Sequence, residues 1–181
     1  MNKTLIVAAL SALAAGSALA QSSVTLYGRV NVSAERQDAA GKKTYQLVNN
    51  ASRIGFKGTE DLGGGLKAGF QLEHGFNIDN GAASQSTFWA RQAEANLSGG
   101  FGAVRLGTFT SEAYFATADY ISMHNHDTGP SSDALYAYVG RNVNKIAYRA
   151  PTFVKGLSIE GAVSAGEGAA NTTRSYDLAV N

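Results

Sequence analysis

Cysteine is absent from the 181 residues, proline occurs twice and tryptophan once. An exported chain without cysteine is not a disulfide-stapled mini-domain. Charge is also sparse, at 16% of residues against a usual share of about 25%. Residues 1 to 20 have the layout of a secretory signal peptide. Lys3 supplies the positive start, Leu5 to Ala15 the apolar run, and Ala18-Leu19-Ala20 the small-residue cleavage site. The domain reading is therefore a signal peptide over 1–20 and one mature unit over 21–181. Removing the signal takes Lys3 with it and leaves Lys+Arg at 14 against Asp+Glu at 14, a formal net charge of zero. That balance excludes a strongly basic nucleic-acid binder. No later stretch reaches about 18 apolar residues in a row, which excludes a transmembrane helix.

What is present is alternation. From Val24 the even positions (Val24, Leu26, Gly28, Val30, Val32, Ala34) are apolar or small, and the odd positions are mostly polar. Period two is the mark of strands with two unlike faces. The same parity returns at Ile54 and Phe56 against Arg53 and Lys57, and at Leu66, Ala68, Phe70 and Leu72 against Lys67, Gln71 and Glu73. Further strands are expected over 88–97, 103–109, 143–150, 157–165 and 175–181. Helical periodicity is missing after the signal peptide. The reading is all-β, with about eight strands.

The connections sort by length. Thr59 to Gly65, Ser98 to Gly102 and Pro151 to Gly156 are short, whereas Arg36 to Gln46, Asp79 to Thr87 and Gly166 to Arg174 are longer and polar. One segment between Phe109 and Asn142 runs to about 30 residues, well past ordinary loop lengths. Short turns on one side and long loops on the other describe an antiparallel transmembrane β-barrel of the outer membrane. Such a wall turns apolar residues to lipid and polar ones to a wet interior. The inward parity carries Arg29, Arg53, Lys57, Lys67, Glu73, Arg105, Lys145, Arg149 and Glu160.

Several motifs sharpen this reading. Val24-Thr25-Leu26-Tyr27-Gly28-Arg29-Val30 and the hairpin Ser52-Arg53-Ile54-Gly55-Phe56-Lys57-Gly58-Thr59-Glu60-Asp61-Leu62-Gly63-Gly64-Gly65-Leu66-Lys67-Ala68 stand near the start. Phe88-Trp89-Ala90-Arg91-Gln92-Ala93, Leu97-Ser98-Gly99-Gly100-Phe101-Gly102, Val104-Arg105-Leu106-Gly107 and Tyr148-Arg149-Ala150-Pro151-Thr152-Phe153 follow. Together they resemble the general porins of Gram-negative bacteria, in the form common in β-proteobacteria. The resemblance implies a homotrimer of 16-stranded barrels in outer-membrane lipid, each a water-filled channel for passive diffusion of ions and small hydrophilic solutes. The present chain then corresponds to the N-terminal half, a fragment ending near its eighth strand.

The resemblance also implies that a long third loop, here about 110–141, folds inward and sets its acids against a basic wall. Its acids are Glu112, Asp119, Asp127 and Asp133. The wall candidates are Arg53 first, then Arg29 and Arg105, with Lys57, Lys67 and Arg91. Strict alternation places Arg91 on the outward side with Ala93, Ala95 and Leu97, so an inward Arg91 requires a bulge. Two departures limit the analogy. Thr108 stands where the family often has arginine, and Glu94 where an aromatic is frequent. Both make the wall less positive, so anion selectivity does not carry over.

Two other readings compete: a small plugged outer-membrane barrel with a structural or enzymatic role, and a secreted β-sandwich that binds carbohydrate. No catalytic set is marked by spacing, and neither a cofactor nor a metal is expected. His124 and His126 form an H-x-H pair without a third ligand. Gly63-Gly64-Gly65 lacks the Gly-Lys-Ser/Thr that a phosphate loop needs and reads as a tight turn.

Overall fold

The computed structural model describes residues 23–115, 141–165 and 174–181. The signal peptide expected over 1–20 lies outside them, as do His124 and His126. Among the described residues ten strands are formed: β1 (Ser23–Arg29), β2 (Val32–Ala39), β3 (Lys42–Asn49), β4 (Arg53–Gly63), β5 (Leu66–Gly75), β6 (Gln92–Gly99), β7 (Gly102–Thr110), β8 (Arg141–Arg149), β9 (Ile159–Ser164) and β10 (Ser175–Val180). Eight of them make one sheet in the order β1-β4-β5-β6-β7-β8-β9-β10, and β2 and β3 pair separately. Every pairing is antiparallel.

The eight-stranded sheet matches the strand count read from alternation, with three corrections. The alternating run from Val24 to Ala34 is broken between Arg29 and Val32, and the expected polar loop over Arg36 to Gln46 is a β2–β3 hairpin. Its two-residue turn, Ala40-Gly41, has φ of 52° and 79°, the doubly positive geometry that matches strand twist. The expected strand over 88–97 starts only at Gln92. Phe88 instead stacks on His74 with ring centroids 4.1 Å apart, and His74 Nδ1 lies 2.6 Å from Phe88 O.

Two-residue connections join β4 to β5 and β6 to β7, a nine-residue one joins β8 to β9, and all three share one rim of an up-and-down sheet. The opposite rim carries the long ones, including the hairpin and the segment after β7. Gly63, Gly64 and Gly65 all have positive φ, which is why the β4–β5 turn takes glycine three times.

Burial is inverted relative to a water-soluble sheet. Among the described residues only Phe109, Ala147 and Ala179 are buried hydrophobics, whereas Glu73, Glu94, Lys145 and Glu160 are buried. Val24, Leu26, Ile54, Phe56, Phe70, Leu106, Ile146 and Leu178 are exposed. Register puts them on one face: Leu26 opposes Phe56, Phe56 opposes Leu72, and Leu106 opposes Ile146. Such a wall suits a solvent that is itself apolar.

Candidate functional site: the charged inner wall

Two clusters occupy the inner face. The first spans β1, β4 and β5. Arg29 stands opposite Arg53 in register, and Gly55 stands on one rung between Tyr27 and Glu73. A Cβ at Gly55 would lie 2.5 Å from the Tyr27 ring, so the missing side chain is what lets Tyr27 lie across β4. Its hydroxyl donates to Glu73 Oε2 at 3.0 Å and accepts from Gln71 Nε2 at 2.6 Å. Arg91 Nε donates to Glu73 Oε1 at 2.6 Å, and Arg53 Nε lies 3.9 Å from Oε2. Glu73 is thus shared by two arginines and a phenol.

Ser52 fixes where this cluster begins. It is 1% exposed; its Oγ accepts from the Asn31 N–H at 3.0 Å and donates to Asn31 O at 3.1 Å. The Phe76 N–H donates to Ser52 O at 3.1 Å. These bonds tie the chain just past β1 and just past β5 to the residue before Arg53, where β4 begins, which gives the Ser-Arg pair a physical reason.

The second cluster spans β6 to β9 and the helical turn over residues 112–115. Arg105 grips Glu94 with both arms, Nε to Oε1 at 3.0 Å and Nη2 to Oε2 at 2.9 Å. Its Nη1 reaches Glu160 at 3.1 Å and Glu112 at 3.2 Å. Arg149 Nε donates to Glu160 Oε2 at 3.1 Å, and its Nη2 donates to Glu112 Oε1. The Phe109 ring lies against both cations, with Arg105 4.3 Å and Lys145 5.0 Å from its centroid. Lys145 Nζ also donates to Phe109 O at 3.0 Å. Bidentate charge-assisted bonds of this kind are about twice as strong as neutral ones.

Backbone geometry delivers Glu112 to this wall. Gly107 has φ of 129°, and the β7–β8 register slips between Gly107 and Phe109. A Cβ at Gly107 would collide with Ala93 O. Directly after Thr110, the last paired residue of β7, the fully buried Ser111 caps the turn, accepting the Tyr114 N–H at 3.2 Å.

The expected wall residues therefore separate. Arg29, Arg53 and Arg91 share the first cluster, and Arg105 belongs to the second. Arg91 needs no bulge in β6: it precedes that strand, where strand parity no longer binds its direction. Lys57 stays near the first cluster, its Nζ 5.6 Å from the Tyr27 ring centre. Lys67 opposes Asp61 and Ser98 near the short-turn rim, away from both clusters. Of the expected loop acids, Glu112 lies against the wall, while Asp119, Asp127 and Asp133 lie outside the described residues. The sequence reading assigned no role to Tyr27 or Phe109. The signal for both was available, since each is an aromatic on the inward parity.

An antiparallel up-and-down sheet with an apolar outer face, a charged inner face and loops sorted by rim defines the wall of an outer-membrane β-barrel. The comparisons agree. The family model for Gram-negative porins matches residues 6–181. Outer membrane porin protein 32 of Delftia acidovorans is 53% identical over 112 residues, covering 59% of this chain and 31% of that protein. The major outer membrane protein P.IB of Neisseria meningitidis serogroup B is 35% identical over 158 residues, covering 81% of this chain and 42% of that protein. The solved anion-selective porin from Comamonas acidovorans matches with a TM-score of 0.68 at 34% identity, covering 81% of this chain and 48% of that one. The chain belongs to the Gram-negative porin family, whose place is the outer membrane. It spans roughly a third to a half of the length of these relatives.

Proposed function

We propose that this chain supplies one wall, and the start of the inward segment, of a water-filled outer-membrane channel for passive diffusion of ions and small hydrophilic solutes. The channel works as a homotrimer, and residues 1–20 direct export. The observation that carries this reading is the inversion of the sheet: exposed leucine, isoleucine and phenylalanine outward, paired arginine and glutamate inward. Charge inside a membrane protein is costly and is kept where it lines a water path or a working site.

Passage through such a channel needs no bond-making. Fixed charges along a wet wall orient polar solutes and bias ions by sign, while pore radius excludes large molecules. In this reading Arg29, Arg53 and Arg91 supply positive potential on the β1–β5 side. The product of the whole reading frame, reconstituted in a planar bilayer, is expected to give stepwise, ohmic conductance. Arg53→Glu is expected to move the reversal potential toward cation preference. A reconstituted protein that carries no current overturns the channel reading, and an Arg53→Glu channel with an unchanged reversal potential removes Arg53 from the ion path.

A further inference from the structure

The β5–β6 connection, on the long-loop rim, opens with a small hairpin of its own. Phe76 bridges Ala83, the Asn77 N–H donates to Ala82 O at 2.8 Å, and the Ser84 N–H donates to Gly75 O at 2.9 Å. Residues 78–81 form its exposed tip. The tip makes two demands on the sequence. Position 81 has φ of 73°, a left-handed conformation that glycine takes without strain. The Ala82 N–H needs an acceptor, and the Asn80 side chain supplies it, with Oδ1 at 2.9 Å. Turn geometry thus brings together Asn80-Gly81, the one Asn-Gly pair of the sequence.

We propose that Asn80 is a self-modification site, losing its amide to become aspartate and isoaspartate in the folded protein. The nucleophile is the backbone nitrogen of Gly81, and the electrophile is Asn80 Cγ. The N–Cγ bond forms, the Cγ–Nδ2 bond breaks, and ammonia leaves carrying the amide proton of Gly81. Water then opens the cyclic imide at either carbonyl, giving aspartate or isoaspartate. Three features of the tip favour this step. A Cβ at Gly81 would meet nothing within 4 Å, so no neighbouring group shields the nitrogen. The Ala82 N–H, already bonded to Oδ1, polarises that carbonyl and holds the negative charge gathering on its oxygen as the ring closes. Exposure admits water and hydroxide. The Gly81 N–H donates to Asn77 O at 2.8 Å, and this bond opens first, at little cost in an exposed tip. Every other asparagine ahead of the last residue precedes a residue with a side chain, which crowds the attacking nitrogen. The product adds a negative charge to the long-loop rim. Isoaspartate also lengthens the main chain by a methylene between Asn77 and Ala82, whose pairing closes the tip. Asn77 Oδ1 accepts from Asn49 Nδ2 at 3.3 Å, so the change reaches the end of β3.

The test ages the product of the whole reading frame, folded in detergent at mildly alkaline pH, and reads peptide masses at intervals. The peptide carrying residue 80 is expected to gain the mass difference between a hydroxyl and an amino group, ahead of every other asparagine. Two products of that one mass should separate by chromatography. Raising the pH should speed the conversion, because the Gly81 nitrogen attacks without its proton. Gly81→Ala is expected to slow it at least about tenfold. Asn80→Ser keeps a side-chain oxygen for the Ala82 N–H but has no amide, and should abolish it. Aged wild type should exchange amide hydrogens over 76–84 faster than fresh protein, whereas aged Asn80→Ser should match its fresh form. An unchanged residue 80 in the folded protein overturns the inference, and its conversion in urea alone would assign the protection to the fold. Conversion spread evenly over the asparagines, or a Gly81→Ala rate equal to wild type, overturns it as well. The assay reads mass rather than current, so its outcome is independent of the channel reading.

Discussion

Tyr27 reaches Glu73 only because position 55 has no side chain. Gly55→Ala would put a Cβ 2.5 Å from the Tyr27 ring and 2.7 Å from the backbone Leu72 O. The ring can rotate away, but the carbonyl moves only if β4 and β5 separate. Overpacking of this kind costs about 1–3 kcal/mol, and the displaced phenol also gives up its bond to Glu73. Gly55→Ala is therefore expected to lower the urea midpoint of the folded protein, and more than Tyr27→Phe, which removes only the hydroxyl at about 1 kcal/mol. Equal midpoints for the two variants would mean that the glycine is not making room for the ring. At this scale the sequence was partly legible. Parity alone placed Arg29, Arg53, Glu73 and Arg105 on one face, because period two fixes direction wherever the ladder is regular. It could not place Arg91, which precedes its strand. Nor could it show which arginine meets which carboxylate, since partners such as Arg105 and Glu160 lie 55 residues apart.

Among the elements, the β2–β3 hairpin is the one that alternation missed. Its strands are exposed on both faces over most of their length, so no buried face imposes an apolar period for a reader to find. The β1–β2 break was hidden for the opposite reason, because the even positions stay apolar or small straight through it. The hairpin turn carries a conflict between residue and geometry. Ala40 sits at φ 52°, a left-handed conformation that costs an L-residue roughly 1–2 kcal/mol and that asparagine tolerates better. Ala40→Asn is expected to slow amide hydrogen exchange across β2 and β3 by up to about tenfold, the equivalent of about 1.4 kcal/mol, and to leave exchange in β4 to β10 unchanged. Exchange that stays as fast as in the wild type would show that turn strain does not limit opening of the hairpin.

Over the whole molecule the question left open by alternation was which face meets water. Polar residues repeat at every second position in a soluble sandwich as well, so the pattern has no sign. The side-chain arrangement supplies one, because carboxylates and arginines cover each other on the inside while aliphatic residues stand bare outside. The two surroundings make opposite demands on Leu106, which is 48% exposed and paired outward with Ile146. In water an exposed leucine exchanged for arginine usually changes stability by less than about 0.5 kcal/mol. On the lipid face of a barrel the same change costs about 2–4 kcal/mol at the bilayer midplane. Leu106→Arg in the whole protein is therefore expected to cut recovery from the detergent-extracted outer membrane, whereas Ala103→Ser, three residues before it on the inward parity opposite Arg149, should be recovered like the wild type. Both variants recovered equally from the soluble fraction would return the sheet to water and with it the sandwich reading. Loss of Leu106→Arg alone from the membrane fixes lipid as the solvent of the apolar face, and the charged face then has only a lumen to look into.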